Sequence, residues 1–435
     1  MYELICDNMS VDENGHLNFA GQDTVELARK YGTPLYLFDE NKIRENCRAY
    51  KAAFARHFPE GSTPLYAGKA AAFKAMYRIM NDEGMGIDVV SCGEIYTAKA
   101  AGYDLSKAYF HGNNKSTENI DFAIENGVGC IVVDSPEELL AVELSAAKHN
   151  TVQNILLRLT PGIDPHTYEA ISTGKVDSKF GSAIDTGAAD AITKLALDQP
   201  HVKLMGFHCH IGSQVFAEDV FERAAEVMLT FIAKIARKHF FRTQILNLGG
   251  GYGVRYNPGD PHLDIAEKTA QIAKAINDTC EKLKIDVPKI LMEPGRSIVA
   301  NAGMTLYKAG SVKKIPGYKT YISIDGGMTD NPRYALYKAL HYVLPAQRMD
   351  EEGDMLCTLA GCCCESGDLI RENIMMPSTV KRGDIIAVCT TGAYNFSMFS
   401  NYNKVLRPAV VMLKDRDSYV GVKRQTYEDL IALEL

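Results

Sequence analysis

Lys69 ends a short apolar run at residues 64–70, where an ammonium would be poorly solvated. A lysine desolvated in that way becomes a nucleophile for a carbonyl and can form a Schiff base, although a strand-end lysine more commonly snorkels to solvent. Glu293 ends another apolar run, in Glu293-Pro294-Gly295-Arg296. A buried carboxylate needs a cation or a strong donor, and a protonated pyridine nitrogen or Arg296 would each serve. His208 and His210 stand two apart in a strand-like run and are expected to share a side. Such a pair suits zinc, a flat ring stacked on a planar cofactor, or a plain core role. The neighbouring runs add no histidine and end in Glu293 and Arg296, which argues against a metal. Gly249-Gly250-Gly251 leaves backbone N–H groups open to a phosphate, and Ser213 would add a hydroxyl. Its spacing is neither that of a P-loop nor that of a dinucleotide fold, and a tight turn is the alternative. In the tail, Cys362-Cys363-Cys364 cannot all reach one metal from an extended chain, and no Cys-x-x-Cys completes a zinc site. Small core thiols, or one exposed thiol acting as an acid, are the two readings. Asn331-Pro332-Arg333 with Tyr337, and Gly392-Ala393-Tyr394, offer an arginine for a carboxylate or are ordinary surface structure.

The elements that must position these residues follow one period. Apolar runs at 64–70, 85–91, 108–112, 130–135, 155–161, 204–212, 245–251 and 290–295 alternate with amphipathic stretches at 73–82, 93–101, 117–126, 136–149, 189–197, 219–238 and 265–284. Strands alternating with helices imply parallel pairing, and eight such runs fit a closed (β/α)8 barrel better than an open sheet. Six of the eight run ends carry the unusual polar residues, and barrel active sites lie at the C-terminal ends of strands. After residue 300 the runs at 312–314, 320–324, 355–361, 385–388 and 405–412 read as a mainly β domain, a barrel or sandwich. A strand at 34–39 is expected to join it, so the division is 1–40, 41–300 and 301–435.

The chain has 435 residues and a net charge of −7, which argues against a nucleic-acid partner. No apolar run reaches the roughly 18 residues of a membrane span. The opening residues lack the basic and apolar regions of a signal peptide, and eleven cysteines without such a signal are expected to be free thiols in a reducing cytoplasm.

A Schiff-base lysine, a phosphate cradle, a stacking ring and an acid for a ring nitrogen together meet the requirements of pyridoxal 5′-phosphate. The sequence carries the motifs Tyr66-Ala67-Gly68-Lys69-Ala70, His111-Gly112-Asn113, His166-Thr167 with Ile171-Ser172-Thr173-Gly174 and Lys179-Phe180-Gly181, His208-Cys209-His210-Ile211-Gly212-Ser213-Gln214, Glu293-Pro294-Gly295-Arg296 and Cys364-Glu365-Ser366-Gly367-Asp368. With these the sequence resembles the diaminopimelate decarboxylases, alanine-racemase-like fold-type III enzymes, over nearly its whole length. The resemblance implies decarboxylation of meso-2,6-diaminopimelate to L-lysine, the last step of lysine formation by that route. It implies that Lys69 carries the cofactor, His210 stacks on its ring, Glu293 pairs with the ring nitrogen, and Ser213, Gly250, Gly251 and the backbone near Gly295 and Arg296 bind phosphate. Asp88 belongs with the cofactor residues. Cys364 is implied as the proton donor, supplied across a homodimer. Arg296, Arg333, Tyr337, Glu365 and Tyr394 are implied to hold substrate, Tyr394 also touching the cofactor. Two departures stand out: Ala71 where the family has Asn, and the extra thiols Cys362 and Cys363. An ornithine-, lysine- or arginine-type decarboxylase and an amino-acid racemase on the same scaffold are the alternatives.

Overall fold

The computed structural model describes residues 2–163, 178–216 and 219–435. The motif residues His166, Thr167 and 171–174 lie outside the described residues. The chain divides into two compact units, one of residues 46–253 and 263–295, the other of residues 1–45, 254–262 and 296–435. The sequence put the divisions at 40/41 and 300/301 and had no place for 254–262 in the second unit, because that short Pro/Gly-rich stretch reads as a loop between two barrel elements.

The first unit is the expected barrel. Its strands are Thr63–Ala67, Gly86–Val89, Ala108–Phe110, Cys130–Val133, Gln153–Thr160, Val202–His208, Ile245–Asn247 and Lys289–Met292, each parallel to the next, with the last paired back onto the first. Gly86–Val89 and Cys130–Val133 are buried at every position, which is why they read as unbroken apolar runs. Serine stops the chain at the strand ends and starts the helices. Ser91, Ser116 and Ser135 each accept a backbone N–H three residues on, from Glu94, Asn119 and Glu138, and Pro136 follows Ser135 at the first helical position. A short strand, Ser182–Ala183, lies parallel beside Gln153–Thr160 and was not expected.

A buried ion pair braces the loop after Ala108–Phe110. Lys115 Nζ donates to Glu138 Oε1 (2.7 Å), Val132 O (2.7 Å) and Gly112 O (2.8 Å), with 2% and 5% of the two side chains exposed. The loop bearing His111 is thereby tied to the neighbouring strand and helix.

The second unit is mainly β. The long strand Gly303–Ile315 is its spine, pairing antiparallel with Lys319–Ile324, Ile385–Cys389 and Leu35–Asp39. Leu35–Asp39 is buried throughout and also runs parallel to Ala409–Lys414, so the N-terminal strand joins this sheet as expected. Leu369–Met376 and Asp417–Val422 extend it. Among the described residues no helix is long and apolar enough to cross a membrane.

Candidate active site

In the barrel unit, Lys69 sits in a single 3-10 turn, Gly68–Ala70, directly after Thr63–Ala67. Its Nζ donates to Asp88 Oδ2 at 3.2 Å, across from the adjacent strand. The expected desolvation is not found: the lysine side chain is 40% exposed, while Asp88 is fully buried. A reachable amine beside a fixed carboxylate suits a group that must meet an incoming aldehyde. At Ala71 the buried side chain offers no hydrogen bond, and its carbonyl accepts from Tyr66 Oη at 2.9 Å.

Glu293 stands just past Lys289–Met292, with its N–H on Gly249 O (2.8 Å). It is 5% exposed. Asn247 Nδ2 lies 2.7 Å from Oε1, and His208 Nε2 lies 3.3 Å from Oε2. His111 Nε2 is 2.9 Å from Oε1 but approaches obliquely, its N–H not pointing straight at the oxygen. Burial pushes this carboxyl up, yet the two histidines outweigh it and hold Glu293 well below the usual carboxylate range. The expected pairing of His208 with His210 is corrected here. The strand ends at His208, and His210 lies beyond it, its Nδ1 accepting from Gly250 N at 3.3 Å. Burial first, then Lys69, keeps His210 neutral by lowering it well below the ordinary histidine value.

The glycine run allows no side chain. A Cβ at Gly250 would lie 2.1 Å from Glu293 O, and one at Gly251 (φ 123°) would lie 2.1 Å from Gly212 O. Gly295 packs as tightly, 2.9 Å from Ala67 Cβ by the same measure. Half-buried Ser213 precedes Gln214, which takes a positive φ of 57°. Bare backbone beside a hydroxyl, a buried ionised carboxylate and a reachable lysine fit a phosphorylated pyridine aldehyde.

Glu94 was missed by the sequence reading. Ser91-Cys92-Gly93-Glu94 has the spacing of a helix-capping box, which could have flagged it. Its Oε2 accepts from Val90 N at 2.8 Å. Burial, reinforced by Asp88, pushes its carboxyl up to about 7 from an ordinary 4.5. The native protein therefore keeps a proton that the unfolded chain releases above 4.5, so this group's contribution is complete below 4.5 and is lost as pH rises through 7. Glu94→Gln should raise the urea midpoint of the cofactor-free protein at about pH 8 and change it little near pH 5. His208 works in the opposite sense: burial lowers it to about 4 from 6.5, and stability falls on acidification across that window.

In the second unit a short helix, Arg333–Tyr337, carries two expected residues one turn apart. Arg333 is 8% exposed and its guanidinium lies over Tyr337 and Tyr394, each 5.4 Å from the ring centroid. Among the described residues no carboxylate pairs with it, and its Nε has no hydrogen-bond partner. Arg296, 7% exposed, donates to Tyr256 Oη and lies 4.8 Å from the Tyr394 ring centroid. Burial first, and Arg296 among the charges, lowers Arg333 from the usual guanidinium value. Tyr394 itself holds a positive φ of 64°, a strained backbone typical of ligand clamps.

Asp368 joins the two loops of this unit that bear the remaining residues. Its Oδ1 accepts from Met328 N (2.6 Å) and its Oδ2 from Cys363 N (2.7 Å). Cys364 is exposed, with its N–H on Asn403 Oδ1, and Glu365 is exposed, accepting from Gly367 N and Ser366 Oγ. Burial and the Asp368 carboxylate raise Cys362 and push Cys363 up to about 12, leaving both as weak acids.

The sequence matches the family model "pyridoxal-dependent decarboxylase, pyridoxal binding domain" over residues 40–300. It is 43% identical to the diaminopimelate decarboxylase of Bacillus subtilis, over 98% of this chain and 96% of that one. A crystal structure of diaminopimelate decarboxylase from M. jannaschii in complex with L-lysine superposes with a TM-score of 0.90 at 34% identity, covering 99% of this chain and 98% of the other. The lysine/ornithine decarboxylase of Vibrio vulnificus shares the fold, with a TM-score of 0.76 at 22% identity over 93% of this chain and 99% of that one. The cofactor is pyridoxal 5′-phosphate, and the chain belongs to the diaminopimelate decarboxylase family of pyridoxal-dependent decarboxylases.

Proposed function

We propose that this chain removes one carboxylate of meso-2,6-diaminopimelate as carbon dioxide and releases L-lysine. The observation that carries the reading is the buried Arg333 guanidinium with no carboxylate among the described residues, beside Arg296. An unpaired buried charge is costly, and a ligand that brings its own carboxylate relieves it. Diaminopimelate keeps a carboxylate at its far end, whereas ornithine, lysine and arginine offer none, so the ornithine-type alternative is disfavoured.

When bound, pyridoxal 5′-phosphate supplies an aldehyde for the substrate amine and a protonated ring that accepts the electron pair left by the departing carboxylate. The chain's own groups do the rest. Lys69 Nζ would hold the cofactor. Asp88 keeps Nζ in place. Ser213, Gly250, Gly251 and the backbone near Gly295 and Arg296 would hold the cofactor's phosphate, and His210 would cover its ring. Arg296, Arg333 and Tyr337 hold the far carboxylate and Glu365 the far ammonium, with Tyr394 packed against both arginines. Cys364 Sγ–H gives the proton that replaces carbon dioxide.

We propose further that the working form is a cytoplasmic homodimer in which each Lys69 uses the partner subunit's Cys364 and the partner subunit's Glu365. The exposure of this loop and eleven free thiols support that reading. The test is incubation with meso-diaminopimelate and detection of lysine and carbon dioxide. Preference over ornithine should reach at least about 10²-fold; faster turnover of ornithine would overturn the assignment. Mixing Lys69→Ala with Cys364→Ala subunits should restore part of the activity, and no restoration argues against a shared site.

A further inference from the structure

A chain of polar groups runs through the barrel unit from Lys69 to Glu293. It begins at Lys69 Nζ, 3.2 Å from Asp88 Oδ2. Asp88 Oδ1 has no hydrogen bond of its own, and His111 Nε2 lies 3.9 Å from it. The same nitrogen lies 2.9 Å from Glu293 Oε1. The His111 ring meets His208 edge-on at 4.8 Å, and His208 Nε2 reaches Glu293 Oε2 at 3.3 Å. Asn247 Nδ2 adds a third donor at 2.7 Å from Oε1, while its Oδ1 accepts from Gly249 N at 2.9 Å. Asn247 thus links the glycine run to Glu293.

Counting donors separates the two carboxylate oxygens. Each has about two lone-pair directions to fill. Oε1 accepts from Asn247 at 2.7 Å and has the obliquely placed His111 Nε2 2.9 Å away, so two nitrogens already crowd it. Among the described residues Oε2 faces His208 alone, at 3.3 Å, and has room for one further donor. We propose that His111, His208 and Asn247 are positioning residues that fix the Glu293 carboxylate in one orientation and leave Oε2 as the acceptor for the ring nitrogen of the cofactor. The inference rests on pyridoxal 5′-phosphate being the barrel's cofactor.

The same three side chains, His111, His208 and Glu293, bring ligand atoms within 4.8 Å of one another, as a metal site would. The donor count favours the clamp. Asn247 faces Oε1 with its amide N–H donor, and a cation among these groups would displace hydrogen bonds that already satisfy the carboxylate.

The test compares leucine and glutamine at both histidines. His111→Leu and His208→Leu remove the donor, while His111→Gln and His208→Gln keep one. Two signals are read on protein stripped of cofactor and titrated with ring-15N pyridoxal 5′-phosphate: its dissociation constant and the ring 15N resonance. The leucine variants should bind about tenfold more weakly or worse, as lost supporting hydrogen bonds do elsewhere. Their 15N signal should move toward that of an unprotonated pyridine, and glutamine should recover most of both losses. Folded leucine variants with wild-type affinity and resonance would overturn the proposal. If leucine prevents folding, Asn247→Ser removes one donor without adding bulk, and an unchanged resonance and affinity there would overturn it too. Stoichiometric zinc in the purified wild-type protein would replace the clamp by a metal site. If the wild-type protein takes up no pyridoxal 5′-phosphate, it is the cofactor reading that falls.

Discussion

Lys69→Ala abolishes turnover, lowering kcat by at least about 10³-fold, and prevents borohydride from fixing the cofactor to the chain. The glycine run, Ser213 and Glu293 are untouched by the change, so the protein should still take up pyridoxal 5′-phosphate, reversibly. Stability should fall modestly. Asp88 is fully buried and loses the cation 3.2 Å away, but the lysine side chain is 40% exposed, so water already screens much of that pair. A loss of about 1–2 kcal/mol is expected, well under that of a pair buried at both ends. Lys69→Arg separates the two effects. A guanidinium can stand beside Asp88 and restore stability, yet it stays protonated at any working pH and cannot attack an aldehyde. Unfolding curves and steady-state rates on both variants check this. An alanine variant retaining even about 1% of the wild-type rate would show that the lysine is not the attachment point.

Lys69 was legible because it breaks an apolar period at a strand end. The same signal exposed Glu293. The eight barrel strands and their helices came from the alternation of short apolar runs with amphipathic stretches, which is the physical signature of strands buried on both faces. Leu369–Met376 and Asp417–Val422 were not legible for the converse reason. Arg371-Glu372-Asn373 interrupts one, and the other has no buried position, so neither carries an apolar pattern. The site's pairwise logic was out of reach as well. His208 and Glu293 are 85 residues apart, and the histidine read as half of a His-x-His pair because alternation was assumed to run through to His210. The strand stops at His208, and the ring turns to Glu293. Asn247 was hidden by the more conspicuous glycines that follow it. Glu94 lies in a helix-capping pattern, Ser91-Cys92-Gly93-Glu94, but nothing in the sequence shows that Asp88 stands close enough to raise it. Asp368 was seen only as part of a motif; its two backbone contacts, one in each loop, supply the reason it stands there.

Arg333→Met should lower kcat/KM for meso-diaminopimelate by about 10²–10³-fold and, in the absence of ligand, make the protein more stable. The two signs have one cause. The guanidinium is 8% exposed, has no carboxylate among the described residues, and shares its surroundings with the like charge of Arg296. Desolvating such an ion costs several kcal/mol. The Tyr337 and Tyr394 rings, 5.4 Å away, return about 1–2 kcal/mol each. What is left over is a deficit of roughly 1–2 kcal/mol that an uncharged side chain of similar length would not carry, and that a substrate carboxylate cancels on binding. Because that carboxylate is held equally before and during the loss of carbon dioxide, KM should rise more than kcat falls. Ligand addition should then raise the melting temperature of the wild-type protein more than that of the variant. Thermal unfolding with and without diaminopimelate, paired with steady-state kinetics, measures both halves. A methionine variant less stable than wild type would mean that Arg333 has a structural counter-charge. One with unchanged KM would mean that the far carboxylate is held elsewhere. Either result removes the reason for assigning a dicarboxylic substrate to this guanidinium.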